Sequence, residues 1–176
     1  KNKTAIHNLG TCFKELGKLD ESKNYYNKVL EIDPKHINAH YNLGIIYYEL
    51  RDLKKAKSYL KKTTELQKNF GFAFFSLGNV HTDLKEYNEA MSCYQKAIEI
   101  NPNIVGAHNN LGLIYRTLND LENAVKSYQK AIKLQPKHGG AYHNLALAYK
   151  ELGKFDQSII FHEKAIESEP ENLAHC

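Results

Sequence analysis

Apolar residues between 105 and 138 recur at spacings of three and four: Leu111, Ile114, Tyr115 and Leu118, then Leu121, Ala124, Tyr128, Ala131, Ile132 and Leu134. That period is the mark of amphipathic helices, and the polar stretch "LNDLE" between the two runs supplies a turn. The same text recurs along the chain. It predicts ten helices, over 4–16, 20–32, 38–50, 54–68, 72–84, 88–100, 106–118, 122–134, 140–152 and 156–168.

The register is strict. Small residues sit at Gly10, Gly44, Gly78, Gly112 and Ala146, each 34 positions after the last. A glycine inside a helix costs roughly 1 kcal/mol relative to alanine, so a close crossing of helices is expected there. A second small row, Ser22, Ala56, Ala90, Ala124 and Ser158, points to the other side of that crossing. The four prolines, Pro34, Pro102, Pro136 and Pro170, follow the same spacing, and Lys68 stands where the fifth would be. Proline cannot continue a helix, so these residues separate the units. The turn inside each unit carries Gly17, Arg51, Lys85, Asn119 and Gly153 in one slot, where glycine and asparagine accept a left-handed conformation readily and Arg51 and Lys85 must accept strain or a different turn.

With these residues in place the chain resembles a tetratricopeptide repeat (TPR) array, whose 34-residue unit carries an aromatic, Leu-Gly, Tyr, a small residue, an aromatic, Ala and Pro at fixed offsets. The fourth unit matches at Leu111, Gly112, Tyr115, Ala124, Tyr128, Ala131 and Pro136, while the opening aromatic is replaced by Ile6, His40, Phe74, His108 and Tyr142 in the five units. The resemblance implies an all-α fold, a right-handed superhelical solenoid of antiparallel helix pairs. Its expected organisation is one array over 1–176: repeats 3–36, 37–70, 71–104, 105–138 and 139–172, with 173–176 opening a further helix.

The resemblance also implies that the first helix of every unit lines a concave groove. Two places before the small residue stand Asn8, Asn42, Ser76, Asn110 and Asn144. An asparagine amide offers two donors and an acceptor, enough to bond the N–H and C=O of an extended peptide without reading its sequence. Such a row is similar to the grooves of the O-GlcNAc transferase repeats and of kinesin-type adaptors. Asn42, Asn110 and Asn144 are expected to point inward with their amides unpaired or water-bound until a ligand arrives. The adjacent row, His7, Tyr41, Phe75, Asn109 and His143, varies in type and is expected to set specificity. Phe72 and Phe75 in "GFAFFSLG" are candidates for an apolar shelf. Ile160 and Phe161 are read as contacts for another domain or subunit.

Composition narrows the function further. The 176 residues are 42% hydrophobic and 25% charged, an ordinary globular balance. Net charge is +4, but the lysines are spread along the chain and only Arg51 and Arg116 are arginines, which argues against a nucleic-acid footprint. No apolar run reaches the roughly 18 residues of a membrane span. Cys12, Cys93 and Cys176 have no CxxC spacing and read as reduced thiols, in keeping with a cytoplasmic location. The nine histidines include His40 and His108 in the slot between helices and His81 in place of the core tyrosine, so structural roles are expected rather than a metal site. No phosphate-binding loop, nucleophile elbow or HExxH occurs, and no cofactor or catalytic residue is expected in this segment. What remains is a protein–protein interaction module binding a peptide or protein segment in its groove. The alternative is the substrate-recruiting region of a transferase whose catalytic domain lies elsewhere. Basic residues that would clamp a terminal carboxylate are missing from the groove slots Thr4, Asn38, Phe72, Gly106 and Gly140.

Overall fold

The computed structural model describes residues 2 to 168, so the further helix expected at 173–176 lies outside the described residues. Ten α-helices follow one another: α1 (Lys3–Glu15), α2 (Leu19–Ile32), α3 (Ile37–Glu49), α4 (Leu53–Leu66), α5 (Gly71–Asp83), α6 (Tyr87–Ile100), α7 (Val105–Thr117), α8 (Leu121–Leu134), α9 (Gly139–Glu151) and α10 (Phe155–Ser168). Among the described residues there is no strand. Contacts divide the chain between Glu86 and Tyr87 into two compact units, one holding α1 to α5 and the other α6 to α10. In the first unit α1 packs on α2, α2 on α3, α3 on α4 and α4 on α5, and α3 also touches α5. In the second, α6 packs on α7, α7 on α8, α8 on α9 and α9 on α10, and α7 touches α9.

The core forms where the second helix of one repeat meets the first helix of the next. Tyr26 and Val29 on α2 close against Ala39, Leu43 and Ile46 on α3, all fully buried. Ala124 and Tyr128 on α8 do the same with Leu145 and Ala148 on α9. Because these repeats complete their cores on a neighbour, stability is shared between adjacent repeats within each unit.

The recurring glycine has a more specific cause than close backbones. A Cβ at Gly10 would lie 2.9 Å from Tyr26 Cε1, one at Gly112 2.7 Å from Tyr128 Cε1, and one at Gly44 2.6 Å from Leu60 Cγ. Even a methyl group would therefore collide with the side chain sixteen residues on. In the fifth repeat, where the small residue is Ala146, that position is His162 instead. The helices do approach closely as well: Ser22 Oγ donates to the Gly10 carbonyl at 2.7 Å across the α1–α2 crossing.

Every turn inside a repeat has one geometry. Gly17, Arg51, Lys85, Asn119 and Gly153 all adopt positive φ, between 59° and 72°. The following N–H reaches back to the carbonyl of the aromatic position, from Lys18 to Phe13, Asp52 to Tyr47, Glu86 to His81, Asp120 to Tyr115 and Lys154 to Tyr149, at 2.8 to 2.9 Å. This is the six-to-one closure of a Schellman motif. Arg51 and Lys85 thus take the strain rather than a different turn.

Candidate functional site

The candidate groove rows lie on the first helices, and their polar atoms are already joined to one another. In the first unit Asn42 Nδ2 lies 3.4 Å from His7 Nε2, and Tyr41 OH lies 3.5 Å from Ser76 Oγ. In the second, Asn144 Nδ2 donates to Asn109 Oδ1 at 3.1 Å. All three links span 35 residues, one repeat plus one position. The row expected to fix peptide backbone is therefore braced against the row expected to set specificity on the preceding first helix. Asn109 Nδ2 also donates to Asn110 Oδ1 at 3.1 Å. The expectation that Asn42, Asn110 and Asn144 hold unpaired amides is corrected accordingly. Neighbouring first helices come close enough for amide groups to find partners, and a half-buried amide with a partner in reach takes it.

A second tier of links runs near the far ends of the same helices. Tyr48 hydrogen-bonds the Asp83 carboxylate, and burial together with that bond pushes its hydroxyl pKa up. Arg116 Nε stands 3.7 Å from Glu151 Oε1. These pairs again join one first helix to the next at the same offset.

The remaining candidates are placed as follows. Asn8 and His143 are exposed and Ser76 is buried. The His7 ring lies 5.3 Å from Tyr26 and 5.1 Å from His36, and His143 lies 5.2 Å from His162. Tyr41 packs on Phe70 at 4.9 Å. Phe72 is 51% exposed, whereas Phe75 beside it is half-buried. Of the two candidates for an apolar shelf, Phe72 is therefore the exposed one and Phe75 lies deeper.

Two buried donors stand out in the second unit. Tyr26 OH is satisfied by Thr11 Oγ1 at 3.1 Å, but Leu113 occupies the position of that threonine in the fourth repeat. Tyr128 OH and Arg116 Nη1 are left buried without a hydrogen-bond partner among the described residues. Burial pushes the Tyr128 hydroxyl up to about 12.

The histidines are built into the fold. His40 and His108 bond the carbonyls of Pro34 and Pro102 through Nε2, each at 2.9 Å, which ties the inter-repeat linker to the helix that follows. His81 is buried against Glu86, whose carboxylate Lys57 also holds. Two histidines serve as helix caps that sequence reasoning missed: His36 Nδ1 accepts from Ala39 N at 3.2 Å, and His138 Nδ1 from Ala141 N at 3.1 Å. Serine, threonine, aspartate and asparagine are the usual caps, so composition gave no signal for these. Among the described residues no three His, Cys, Asp or Glu side chains gather to hold a metal ion, and no helix is long and apolar enough to cross a membrane.

The expectation for Ile160 and Phe161 divides. Ile160 is 48% exposed. Phe161, by contrast, stacks on Tyr149 at 5.4 Å with planes 8° apart and packs against the α8–α9 core, so it is not an outward contact. It repeats a stack made by Tyr25 on Phe13 and by Tyr59 on Tyr47. Tyr25, Tyr59 and Phe161 share one slot of the repeat in the sequence, but which way that slot faces follows only from the pairing of the helices.

Comparison with known proteins places this architecture. Models of the TPR repeat match residues 78–118 and 112–153, and models of the tetratricopeptide repeat match 3–69 and 139–172. The chain is built of tetratricopeptide repeats. No curated protein matches it in sequence. Among solved structures it is similar to the MamA protein, with 28% identity and a TM-score of 0.86, covering 98% of this chain and 94% of that one. A MamA "41-end" structure from Desulfovibrio magneticus RS-1 aligns at a TM-score of 0.88 and 21% identity over 100% and 99% of the two chains. YrrB, described as a TPR protein with an unusual peptide-binding site, aligns at 0.81 and 24% identity over 96% and 87%. The chain is an all-α solenoid of the TPR type.

Proposed function

We propose that the chain holds an extended peptide or protein segment against its first helices, in a groove of the asparagine-lined kind found in O-GlcNAc transferase repeats. The observation that carries this reading is the state of the braced amides. Asn42 and Asn144 each engage a neighbour through Nδ2, while their Oδ1 atoms carry no hydrogen bond among the described residues. In each unit the brace holds one such acceptor at a half-exposed position, where it suits an N–H group of an extended segment. Phe72 offers an apolar contact for a side chain of that segment, since exposed aromatics of this kind serve as binding anchors. The existence of a peptide site in YrrB is in keeping with this use of the fold. A substrate-recruiting role beside a transferase would use the same surface, and exposed Ile160 is available to a neighbouring domain.

The test is a peptide array probed with three proteins: wild type, Phe72→Ser, and the triple variant Asn42→Ala, Asn110→Ala, Asn144→Ala. Thermal stability is measured alongside. Captured peptides should be lost broadly with the triple variant and selectively, among those with apolar residues, with Phe72→Ser. Capture of the same peptides by both variants in folded form would refute the groove.

A further inference from the structure

His36 caps α3 in a way that only its neutral form can sustain. A backbone N–H can only donate, so Nδ1, 3.2 Å from Ala39 N, must carry a lone pair and the proton must sit on Nε2. A charged ring would set N–H against N–H and place positive charge at the positive end of the helix. The His7 ring, 5.1 Å away on α1, is in a matching position: its Nε2 faces Asn42 Nδ2 at 3.4 Å and accepts from that amide.

We propose that the joint between the first two repeats is a proton-sensitive switch, in which charging His36 releases the cap of α3 and charging His7 turns the Asn42 amide over. With His7 protonated, Nε2 becomes a donor, so Asn42 must present Oδ1 to it and point its NH2 group outward. One proton thereby converts the outward face of Asn42 from acceptor to donor.

The surroundings set the direction of the switch. From α1, His7 and Lys3 face His36; from the preceding turn, Asp33 faces it, and Lys3 pairs with that carboxylate at 2.6 Å. From α2, Tyr26 packs on His7 at 5.3 Å. Burial first, then the charges of His7 and Lys3, hold the His36 pKa below its ordinary value, and Asp33 only partly opposes them. The folded state therefore favours the neutral ring. The cap is intact above about pH 6.5, the ordinary histidine value, and its stabilisation is lost as pH falls through the lowered one. The switch does not depend on whether the groove binds a peptide.

The experiment is nuclear magnetic resonance on the isotopically labelled chain between about pH 7.5 and about pH 5. At the upper value His36 Nδ1 should resonate as an unprotonated nitrogen. On acidification, exchange of the Ala39 amide, corrected for its intrinsic pH dependence, should rise about five- to tenfold, and the Asn42 side-chain amide signals should move together with those of the His7 ring. His36→Asn caps without titrating and should leave Ala39 exchange flat; His36→Ser serves the same purpose if the asparagine variant is poorly folded. A protonated Nδ1 at the upper pH, an equal rise in the variant, or Asn42 signals indifferent to His7 would each overturn the proposal.

Discussion

Asn144 on α9 donates its amide N–H to Asn109 Oδ1 on α7 at 3.1 Å, binding two first helices together across a whole repeat. The same offset joins His7 to Asn42 and Tyr41 to Ser76. The polar lining is therefore both a surface and a part of the joint between repeats, so its residues must be tested for both roles. In a double-mutant cycle, Asn109→Ala and Asn144→Ala should couple by about 0.5 to 1 kcal/mol, as a half-exposed hydrogen bond does. Strict additivity in denaturant unfolding would mean that the brace contributes nothing.

Gly112 is held by the Tyr128 ring rather than by backbone contact. Gly112→Ala should destabilise by about 1 to 3 kcal/mol despite the better helix propensity of alanine. Combining it with Tyr128→His, which imitates the Ala146 and His162 pair of the fifth repeat, should cost less than the two changes added together. Unfolding midpoints of the four proteins decide this, and simple addition would assign the glycine to some other neighbour.

Lys85 sits at φ 59° with a side chain that gains nothing from that conformation. Lys85→Gly should stabilise the protein by about 1 kcal/mol, and Gly153→Ala at φ 72° should destabilise it by a similar amount. Melting temperatures should move in opposite directions; a loss of stability in both would show that the turn is not strained at Lys85.

Much of the fold was legible because proline, glycine and apolar period all share one register. Helix ends fall within two residues of those read from the sequence, and the largest difference, α4 stopping at Leu66 rather than 68, has a physical reason. Gln67 turns extended at φ −136° although no proline follows, so the packing of α5 on α4 ends the helix where proline does elsewhere. The braces were not legible, because they depend on which first helices become neighbours in space. Nor was the stack of Phe161 on Tyr149, which requires knowing that residues on paired helices face each other.

His108 is buried, with Nε2 bound to the Pro102 carbonyl, and burial lowers its pKa while that bond partly restores it. A lowered value means that the folded state favours the neutral ring, so the stabilisation is present above about pH 6.5 and lost as pH falls through the lowered value. His108→Phe, which borrows Phe74 from the third repeat, should flatten this part of the stability profile. An unchanged slope in the variant would place the acid sensitivity in other groups.

The linker at 67–70 lacks proline, and Thr63 replaces alanine in the core, although its hydroxyl is satisfied by the Tyr59 carbonyl at 3.0 Å. Native-state hydrogen exchange should find residues 60–72 opening faster than 128–140. Equal protection would show that the Tyr41 and Phe70 contact fully compensates.

The reading of the first helices as a peptide-binding surface is tested most directly by chemical-shift mapping with a peptide recovered from the array. Shifts should cluster on α1, α3, α5, α7 and α9, include the side-chain amides of Asn42 and Asn144 and the ring of Phe72, and vanish for the triple asparagine variant. Shifts confined to α2, α4, α6, α8 and α10, with those amides unmoved, would contradict it.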